Sequence, residues 1–313
     1  MSGLTLQSLV QSKHVLVTGG SGFLGHALVQ WLMKQGAEVT SVNSSVCDLR
    51  NRRETIELLG DTSPQIVFHC AVQGGGIGWM KDHPVESGLD NYRINTNILE
   101  ASFAAGVQSF VGVSSACVYP KNGQLPYQED AVWGGYPEPF NGPYALSKRA
   151  MMDLGRAYAK QHQFHCVFSI LANLYGPGDH LSSERAHVIA DLMLRAKSST
   201  ETLSVWGTGV AEREFLFIED AVEGIVSTLF GDAGGFYNVG TGISTPIHEL
   251  ARLMIEIVNP SLRLTFDSSK PDGQLQKVMD VSKLYGLCGW SSKTSLKDGL
   301  QATWDWYSKH QGE

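Results

Sequence analysis

The stretch Thr18-Gly-Gly-Ser-Gly-Phe-Leu-Gly25 lies between a short apolar run, His14-Val-Leu-Val17, and an amphipathic segment over residues 24–35. The apolar run predicts a buried strand, and the helical spacing after the turn predicts an amphipathic helix. Glycines recur at every third position of the turn, where they allow a tight bend and let the backbone approach a pyrophosphate. The N-terminus of the following helix supplies amide donors. The sequence therefore predicts a dinucleotide site, in preference to a glycine-rich turn without a ligand.

The alternation of strands and helices continues through the first half of the chain. Glu38-Val-Thr-Ser-Val42 predicts a second strand. Further strands are predicted over residues 65–70, over residues 109–113 with an end at Ser114-Ser115, and over residues 165–170, and helices over residues 91–106 and 141–161. Strands that alternate with helices form βαβ units and a parallel sheet. We therefore expect an α/β fold with a Rossmann-type, doubly wound parallel sheet.

The regular pattern breaks into loops and short helices after about Leu174. We expect a dinucleotide-binding Rossmann domain mainly over residues 1–173. A smaller C-terminal substrate-binding lobe is expected over residues 174–313, with some of its segments returning to the sheet.

Composition excludes several classes of function. A net charge of -7 over 313 residues argues against sequence-independent nucleic-acid binding. The five cysteines have no Cys-x-x-Cys spacing, which favours free thiols in a reducing cytoplasm over a disulfide frame or a metal site. The apolar runs are too short for a membrane span, and the first residues lack the features of a signal peptide. We expect a soluble cytoplasmic protein without a metal.

A Tyr-x-x-x-Lys spacing places Tyr144 one helical turn before Lys148. Alone, this spacing usually marks an ordinary exposed helix face. Together with the glycine-rich turn it indicates a nicotinamide redox enzyme, because a nearby cation can lower the pKa of a tyrosine hydroxyl for proton transfer.

The end of the second strand predicts which nicotinamide cofactor binds. An acid there would accept from the 2'-hydroxyl of NAD, but Asn43-Ser-Ser45 stands in that place. Arg50, Arg52 and Arg53 follow and could pair with a 2'-phosphate. NADP is therefore favoured over NAD. Asp48-Leu49 is predicted to contact the adenine edge, with capping of the next helix by Asp48 as the alternative.

These residues resemble the extended short-chain dehydrogenase/reductases that act on nucleotide sugars, the NAD-dependent epimerase/dehydratase superfamily, and within it the GDP-L-fucose synthases. The resemblance runs nearly end to end. A cysteine two residues after a serine and followed by Tyr-Pro, as in Ser115-Ala-Cys-Val-Tyr-Pro120, is particular to the fucose synthases. Other matching motifs are Gly74-Gly-Gly-Ile77, Glu138-Pro-Phe-Asn-Gly-Pro-Tyr144, Asn173-Leu-Tyr-Gly-Pro177, Val205-Trp-Gly-Thr-Gly209, Arg213-Glu-Phe-Leu216 and Ser269-Lys-Pro-Asp-Gly273.

The resemblance implies two kinds of chemistry. In reduction, Ser115 and Tyr144 would bind the C4 carbonyl of the sugar, Tyr144 would deliver a proton, and Lys148 would grip the nicotinamide ribose. In epimerisation, Cys117 and His187 would act as base and acid at the carbons beside the ketone. The alternatives are that Cys117 is a small buried apolar residue and that His187 is an ordinary loop histidine.

The resemblance also implies the ligand contacts. The predicted cofactor-binding residues are Gly19, Ser21, Gly22, Phe23, Leu24, Gly25, Asn43, Asp48, Leu49, Cys70, Ala71, Val72, Val113, Tyr144, Lys148, Asn173, Leu174 and His187. The predicted substrate-binding residues are Ser115, Cys117, Asn173, His187, Val188, Arg195, Trp206, Arg213 and Lys270. Arg213 suits the diphosphate because a guanidinium can bind phosphate through two parallel hydrogen bonds. Arg195 and Lys270 could instead be solvated surface charges, and Trp206 could serve packing alone.

The chain departs from the fucose synthase pattern near the sugar pocket. Ser21 replaces a basic residue of the glycine turn, Asp179-His-Leu181 replaces Asp-Asn-Phe, and Leu171-Ala-Asn173 replaces Pro-Thr-Asn. The resemblance implies NADP-dependent reduction of a nucleotide-activated 4-keto-6-deoxy sugar, a GDP-sugar in first place, with C3/C5 epimerisation. The departures allow a related deoxy or heptose sugar and weaker epimerisation. The alternatives are an epimerase that retains NAD without net redox, a 4-reductase without epimerisation, and a non-enzymatic protein on the same fold. A homodimer is expected from the family.

Overall fold

The computed structural model describes residues 5–75, 77–179, 188–270 and 272–310. The strands are β1 (His14–Thr18), β2 (Glu38–Val42), β3 (Ile66–His69), β4 (Ser109–Ser115), β5 (His165–Leu171), β6 (Asn173–Tyr175), β7 (Thr202–Trp206), β8 (Glu212–Arg213), β9 (Phe215–Phe217), β10 (Phe236–Val239), β11 (Thr245–Pro246) and β12 (Arg263–Asp267). The α-helices are α1 (Leu6–Val10), α2 (Phe23–Lys34), α3 (Arg52–Thr62), α4 (Ile77–Asp82), α5 (Pro84–Ala104), α6 (Gly142–His162), α7 (Val188–Ser198), α8 (Ile218–Ser227), α9 (Ile247–Val258), α10 (Ser282–Cys288) and α11 (Leu296–Lys309). Short 3₁₀ turns cover Ala116–Val118, Glu129–Trp133, Pro139–Asn141 and Thr228–Phe230.

Six strands form one parallel sheet in the order β10-β5-β4-β3-β1-β2. The chain passes from β2 on one side of β1 to β3 on the other, so the sheet has its topological switch point there. Ligands of such sheets bind at the carboxyl ends of the strands beside the switch point. The predicted α/β fold with a Rossmann-type parallel sheet is confirmed.

Buried apolar side chains form two clusters. The larger surrounds the main sheet, whose strands are almost continuously buried because helices cover both faces. The smaller joins Leu203 of β7 to Met193 of α7, Leu250 of α9 and Leu300 of α11. β10 comes from the C-terminal half of the chain and lies at the edge of the main sheet. The division of the chain at residues 173 and 174 stays a prediction.

One predicted helix begins much earlier in the structure, whereas the end of β4 agrees with the prediction. Helix α5 begins at Pro84, well before the predicted start at Asn91. A proline fits the first turn of a helix because its fixed φ is helical and its missing N–H is not needed there. β4 ends at Ser115, where the sequence predicts the strand to end, and this brings that serine to the carboxyl edge of the sheet. Across the described helices, none is both long and apolar enough to cross a membrane.

Candidate active site

The glycine-rich turn closes tightly over the carboxyl end of β1. Gly19 has a φ of +70°, and a Cβ atom on it would lie 2.8 Å from the backbone of Ala71. A Cβ atom on Gly25 would overlap the Gly19 carbonyl oxygen. The Gly22 amide donates to that same oxygen over 3.0 Å, and helix α2 starts directly after Gly22. Only glycine permits this approach of turn, helix and neighbouring strand, which leaves a cradle of backbone at a helix N-terminus.

The segment after β2 carries the residues predicted to select the cofactor. Asn43 Oδ1 accepts from the Ser45 amide over 3.0 Å and from its hydroxyl over 2.6 Å. Asp48 accepts from the Arg50 guanidinium over 2.9 Å, and this bond lowers the pKa of Asp48. Arg50 also pairs with Asp90 over 3.1 Å. Helix α3 is capped by Asn51, not by Asp48. The alternative role of Asp48 as a helix cap is therefore wrong.

The other two arginines predicted for a 2'-phosphate are paired on the surface. Arg52 lies 2.7 Å from Glu100, and Arg53 lies 2.8 Å from Glu57 on the same helix. Exposed ion pairs of this kind are weak and readily exchange partners.

A buried polar chain, which the sequence did not reveal, links the turn to helix α6. His69 Nδ1 lies 2.8 Å from Thr18 Oγ1, and His69 Nε2 lies 3.0 Å from Asn95 Oδ1. Because an amide oxygen only accepts, Nε2 carries the proton and Nδ1 accepts from the Thr18 hydroxyl. Asn95 Nδ2 then donates to the Ser147 carbonyl oxygen over 3.3 Å. Burial, with the nearby charge of Lys148, lowers the pKa of His69 to about 3, so this imidazole is neutral.

Tyr144 and Lys148 are both buried on helix α6. Burial raises the pKa of Tyr144, and the charge of Cys117 raises it further, so the phenol stays protonated. This differs from the prediction that Lys148 lowers the tyrosine pKa. Burial instead lowers the pKa of Lys148 itself to about 8, against a smaller opposite effect of Cys70. A group buried away from water avoids its charged form, which explains both shifts.

Ser115 and Cys117 face this helix from the carboxyl end of β4. Ser115 caps the 3₁₀ turn Ala116–Val118, and its Oγ accepts from the Cys117 amide over 3.3 Å. This 3₁₀ turn packs against helix α6, which carries Tyr144. The structure therefore brings four of the five predicted catalytic residues to one edge of the sheet. His187 lies outside the described residues.

A buried glutamate that the sequence did not reveal holds the substrate side of the site. The Glu214 carboxylate accepts from the amides of Thr241 over 2.6 Å, Gly242 over 2.9 Å and Met279 over 2.9 Å. Its backbone oxygen accepts from Asn173 Nδ2 over 2.8 Å. Desolvation raises the pKa of Glu214 against these hydrogen bonds. This glutamate fixes Asn173 relative to the end of β10.

Arg213 is anchored through one nitrogen. Its Nη1 donates to the carbonyl oxygens of Glu212 over 2.7 Å and Gln274 over 2.6 Å. Burial lowers the pKa of this guanidinium. Among the described residues the guanidinium has no ion pair, so its charge remains for an anionic ligand.

Trp206 and Lys270 lie together on the surface of the protein. Lys270 Nζ is 5.7 Å from the centre of the Trp206 ring, which is 66% exposed. Asp272 accepts from the Thr208 amide over 2.7 Å and from its hydroxyl over 2.9 Å, which ties the two loops to each other. Arg195 behaves differently, because it pairs with Asp191 over 3.1 Å and donates to the Ser204 carbonyl oxygen.

The remaining predicted residues lie in several elements of the fold. Cys70, Ala71 and Val72 follow β3, Val113 is buried in β4, and Leu174 lies in β6. Val188 begins helix α7, and Ser21, Phe23 and Leu24 belong to the turn and the start of α2. In the described ranges, no cluster of three or more His, Cys, Asp or Glu side chains could hold a metal ion.

Residues 15–240 match the NAD dependent epimerase/dehydratase family. The chain is 36% identical to "Putative GDP-L-fucose synthase 2" of Arabidopsis thaliana, over 96% of this chain and 93% of the relative. It is 30% identical to the GDP-L-fucose synthase of Escherichia coli (strain K12), over 96% of this chain and 98% of that protein.

Solved structures of related proteins superpose closely. A GDP-6-OMe-4-keto-L-xylo-heptose reductase from C. jejuni has a TM-score of 0.91 and 25% identity, over 99% of this chain and 100% of that one. A GDP-L-fucose synthetase from Naegleria fowleri bound to NADP has a TM-score of 0.86 and 27% identity, over 96% of this chain and 95% of that one. The chain therefore belongs to the NAD-dependent epimerase/dehydratase family and, within it, to the GDP-L-fucose synthases and their relatives.

Proposed function

We propose that this protein is an NADP-dependent reductase of a GDP-linked 4-keto-6-deoxy sugar that also epimerises the sugar at C3 and C5. The observation that carries the proposal is the burial of Tyr144 and Lys148 beside Ser115 and Cys117, at the carboxyl edge of a parallel sheet. The relatives at 30–36% identity are named GDP-L-fucose synthases, which supports a GDP-sugar.

The residues of the turn fit the proposed cofactor. Gly19 and Gly25 let the turn pack directly on β3 and α2, because a Cβ atom on either would meet backbone atoms, and a tight turn of this kind is what lets a pyrophosphate approach the backbone. Helix α2 offers free amides there. Asn43-Ser-Ser45 stands where an acid would select NAD, Arg50 follows it, and the solved structure of the N. fowleri relative is bound to NADP. Comparing kcat/KM for NADPH and NADH tests this choice, and a clear preference for NADH would contradict it.

In the reductive step, bound NADPH supplies the hydride. Tyr144 donates a hydrogen bond to the ketone oxygen, because burial keeps its phenol protonated, and passes it a proton as the oxygen becomes a hydroxyl. Ser115 donates a second hydrogen bond to that oxygen. Lys148 would hold the nicotinamide ribose of the cofactor through its ammonium group.

In the epimerisation step, the ketone acidifies the neighbouring C–H groups. The Cys117 thiolate takes a proton from one of these carbons, and the electron pair moves onto the ketone oxygen held by Ser115 and Tyr144. His187 returns a proton to the opposite face of the carbon. The packing of the Cys117 turn against α6 supports action of the thiol on the same bound sugar as Tyr144.

The proposed roles separate in two variants turned over with GDP-4-keto-6-deoxymannose and NADPH in D₂O. Tyr144→Phe should slow NADPH consumption by about 10²-fold or more, the usual effect of losing a positioned acid. Cys117→Ser should leave reduction running but stop deuterium entry at the carbons beside the ketone, because a serine hydroxyl is much less acidic than a thiol.

Four outcomes contradict the proposal or part of it. Near-normal turnover of Tyr144→Phe would remove the reductive role of the tyrosine. Wild-type product without deuterium would make the protein a plain 4-reductase. Exchange in Cys117→Ser at the wild-type rate would place the base elsewhere. No NADPH consumption with this substrate, but consumption with a CDP-, UDP-, dTDP- or GDP-heptose keto-sugar, would move the proposal to that sugar.

We propose further that the protein is a cytoplasmic homodimer. Its five thiols are unpaired among the described residues, which supports a reducing compartment. Leu89 and Tyr92 on α5 and Leu154 on the adjacent α6 are exposed apolar side chains, and a second copy of the same face would cover them.

A further inference from the structure

Arg149 follows Lys148 on helix α6 and is only 8% exposed. Its Nε donates to the Val118 carbonyl oxygen over 2.8 Å, and its Nη1 donates to the Gly135 carbonyl oxygen over 2.7 Å. In the part of the chain that the structure describes, its Nη2 is buried without a hydrogen-bond partner, and no carboxylate lies within 4.0 Å of the guanidinium. Burial lowers the pKa of Arg149.

A buried arginine without a carboxylate is costly, because its charge loses hydration and gains no opposite charge. An apolar side chain at this position could pack in the same buried space without the cost of removing a charge from water. We therefore attribute the presence of the arginine to its hydrogen bonds with the two carbonyl oxygens. Both belong to segments outside the regular secondary structure of the main sheet.

One of these segments carries the proposed base of epimerisation. Val118 ends the 3₁₀ turn that contains Cys117, and Ser115 caps the start of the same turn. Gly135 lies in the second segment, whose next residue, Tyr136, accepts from the Lys121 amide over 3.1 Å. Arg149 thus joins helix α6, the cysteine turn and the loop that covers it.

We propose that Arg149 is a positioning residue, which fixes the Cys117 turn relative to Tyr144 on α6. The inference rests on the proposed function, because it assigns epimerisation to Cys117 and reduction to Tyr144. Removing a proton from carbon requires the thiolate in near contact with the C–H group, and a misplacement of about 1 Å can cost about 10²-fold in rate. Tyr144 and Lys148 sit on α6 itself, and Ser115 is held in β4 by its pairing with β5, so reduction depends much less on the link to the turn.

The experiment compares Arg149→Met, which keeps a long apolar side chain but removes the donors, with Arg149→Lys. Each variant is turned over with GDP-4-keto-6-deoxymannose and NADPH in D₂O. Deuterium gained per sugar reduced is the readout. Arg149→Met should lower this ratio about 10-fold or more while NADPH consumption changes about threefold or less. Arg149→Lys keeps one cationic donor and should recover part of the ratio.

The matched control is Arg156→Met on the same helix. Arg156 is exposed and lies over the Phe236 ring at 5.4 Å, away from the cysteine turn. This variant should keep the wild-type ratio. An Arg149→Met enzyme with an unchanged ratio, or with both reactions lowered equally, would overturn the positioning role.

A second readout keeps this proposal separate from the proposed function. Wild-type product without deuterium would remove the epimerase activity but would leave the link to the turn testable. Alkylation of Cys117 by iodoacetamide, followed by peptide mass spectrometry, reports how firmly the turn is held. Cys117 should be alkylated faster in Arg149→Met than in the wild type or in Arg156→Met. If Arg149→Met does not fold, the same comparison is made with Arg149→Lys. An equal rate would overturn the proposal.

Discussion

At the scale of single residues, burial decides the protonation of the site. Tyr144 and Lys148 are shifted in opposite directions by the same cause, since each avoids its charged form when water is removed. The tyrosine is thereby kept as a proton donor, which suits a reduction that delivers a proton to oxygen. The lysine is brought to a pKa near the working pH, at about 8.

The lysine shift predicts a pH dependence of the reaction. Lys148 is cationic below its pKa of about 8 and neutral above it, so kcat/KM should fall as the pH rises through about 8. Lys148→Arg retains the charge at all these pH values, because an arginine does not lose its proton in this range. The kcat/KM of that variant should not fall between pH 7 and pH 10, even if its absolute value is lower than that of the wild type. A wild-type profile that stays flat to pH 10 would contradict the role of the lysine charge.

At the scale of secondary-structure elements, contacts between backbone segments build the cofactor cradle. The Gly25 position of helix α2 touches the Gly19 carbonyl oxygen, and no side chain fits between them. Gly60 in helix α3 offers the contrast, since nothing lies within 4 Å of a Cβ atom placed there. The two glycines therefore predict opposite results for the same substitution.

Gly25→Ala should push α2 away from the turn, destabilise the fold by about 1–3 kcal/mol as overpacking does, and weaken NADPH binding. Gly60→Ala should bind NADPH normally and be neutral or more stable by up to about 1 kcal/mol, because alanine favours a helix interior. NADPH fluorescence titration and urea unfolding measure both effects. Equal NADPH affinities in the two variants would exclude the proposed cradle.

The buried chain through His69 joins β1, β3, α5 and α6, and it predicts a stability that depends on pH. The pKa of His69 is about 3 in the folded protein and about 6.5 in an unfolded chain. Below pH 6.5 the imidazole of residue 69 binds a proton in the unfolded chain but stays neutral in the folded protein. The stability that this group contributes is therefore fully present above pH 6.5 and is lost as the pH is lowered. From pH 7.5 to 5.5 this loss is about 1.4 kcal/mol.

His69→Gln removes the titrating group and keeps a polar side chain between Thr18 and Asn95. Urea unfolding at pH 7.5 and pH 5.5 should therefore give a smaller pH effect for the variant, by about 1.4 kcal/mol. The comparison between variant and wild type cancels the other titrating groups. The same pH effect in both proteins would mean that His69 is not held neutral.

The elements that could be predicted from the sequence are those whose signal is local. The turn from Thr18 to Gly25 follows from its own spacing and flanking elements, and the pair of Tyr144 and Lys148 follows from its spacing in combination with that turn. Buried polar partners could not be predicted this way, because Glu214 and Arg149 bind backbone groups that are distant in the chain. His69 carried a weak signal, as the only ionisable side chain within an apolar strand.

At the scale of the whole molecule, the exposed apolar side chains of α5 and α6 predict self-association. Sedimentation should give a dimer for the wild type at micromolar concentration. Leu89→Glu combined with Leu154→Glu places charges on that face and should give a monomer. Met33→Glu, at an apolar residue on α2 that is even more exposed, should leave the dimer intact. A monomeric wild type would contradict the proposed assembly.

The position of β10 at the edge of the main sheet has a consequence for how the protein is made on the ribosome. β5 is finished when Leu171 has been synthesised, but its outer hydrogen-bonding edge stays open until Phe236–Val239 emerges. An unpaired strand edge can form hydrogen bonds with strands of other chains. The nascent chain is therefore prone to aggregate during that interval. A translational pause between these segments would prolong the exposure. Synonymous codons that slow this stretch should therefore lower the yield of native protein without changing one amino acid.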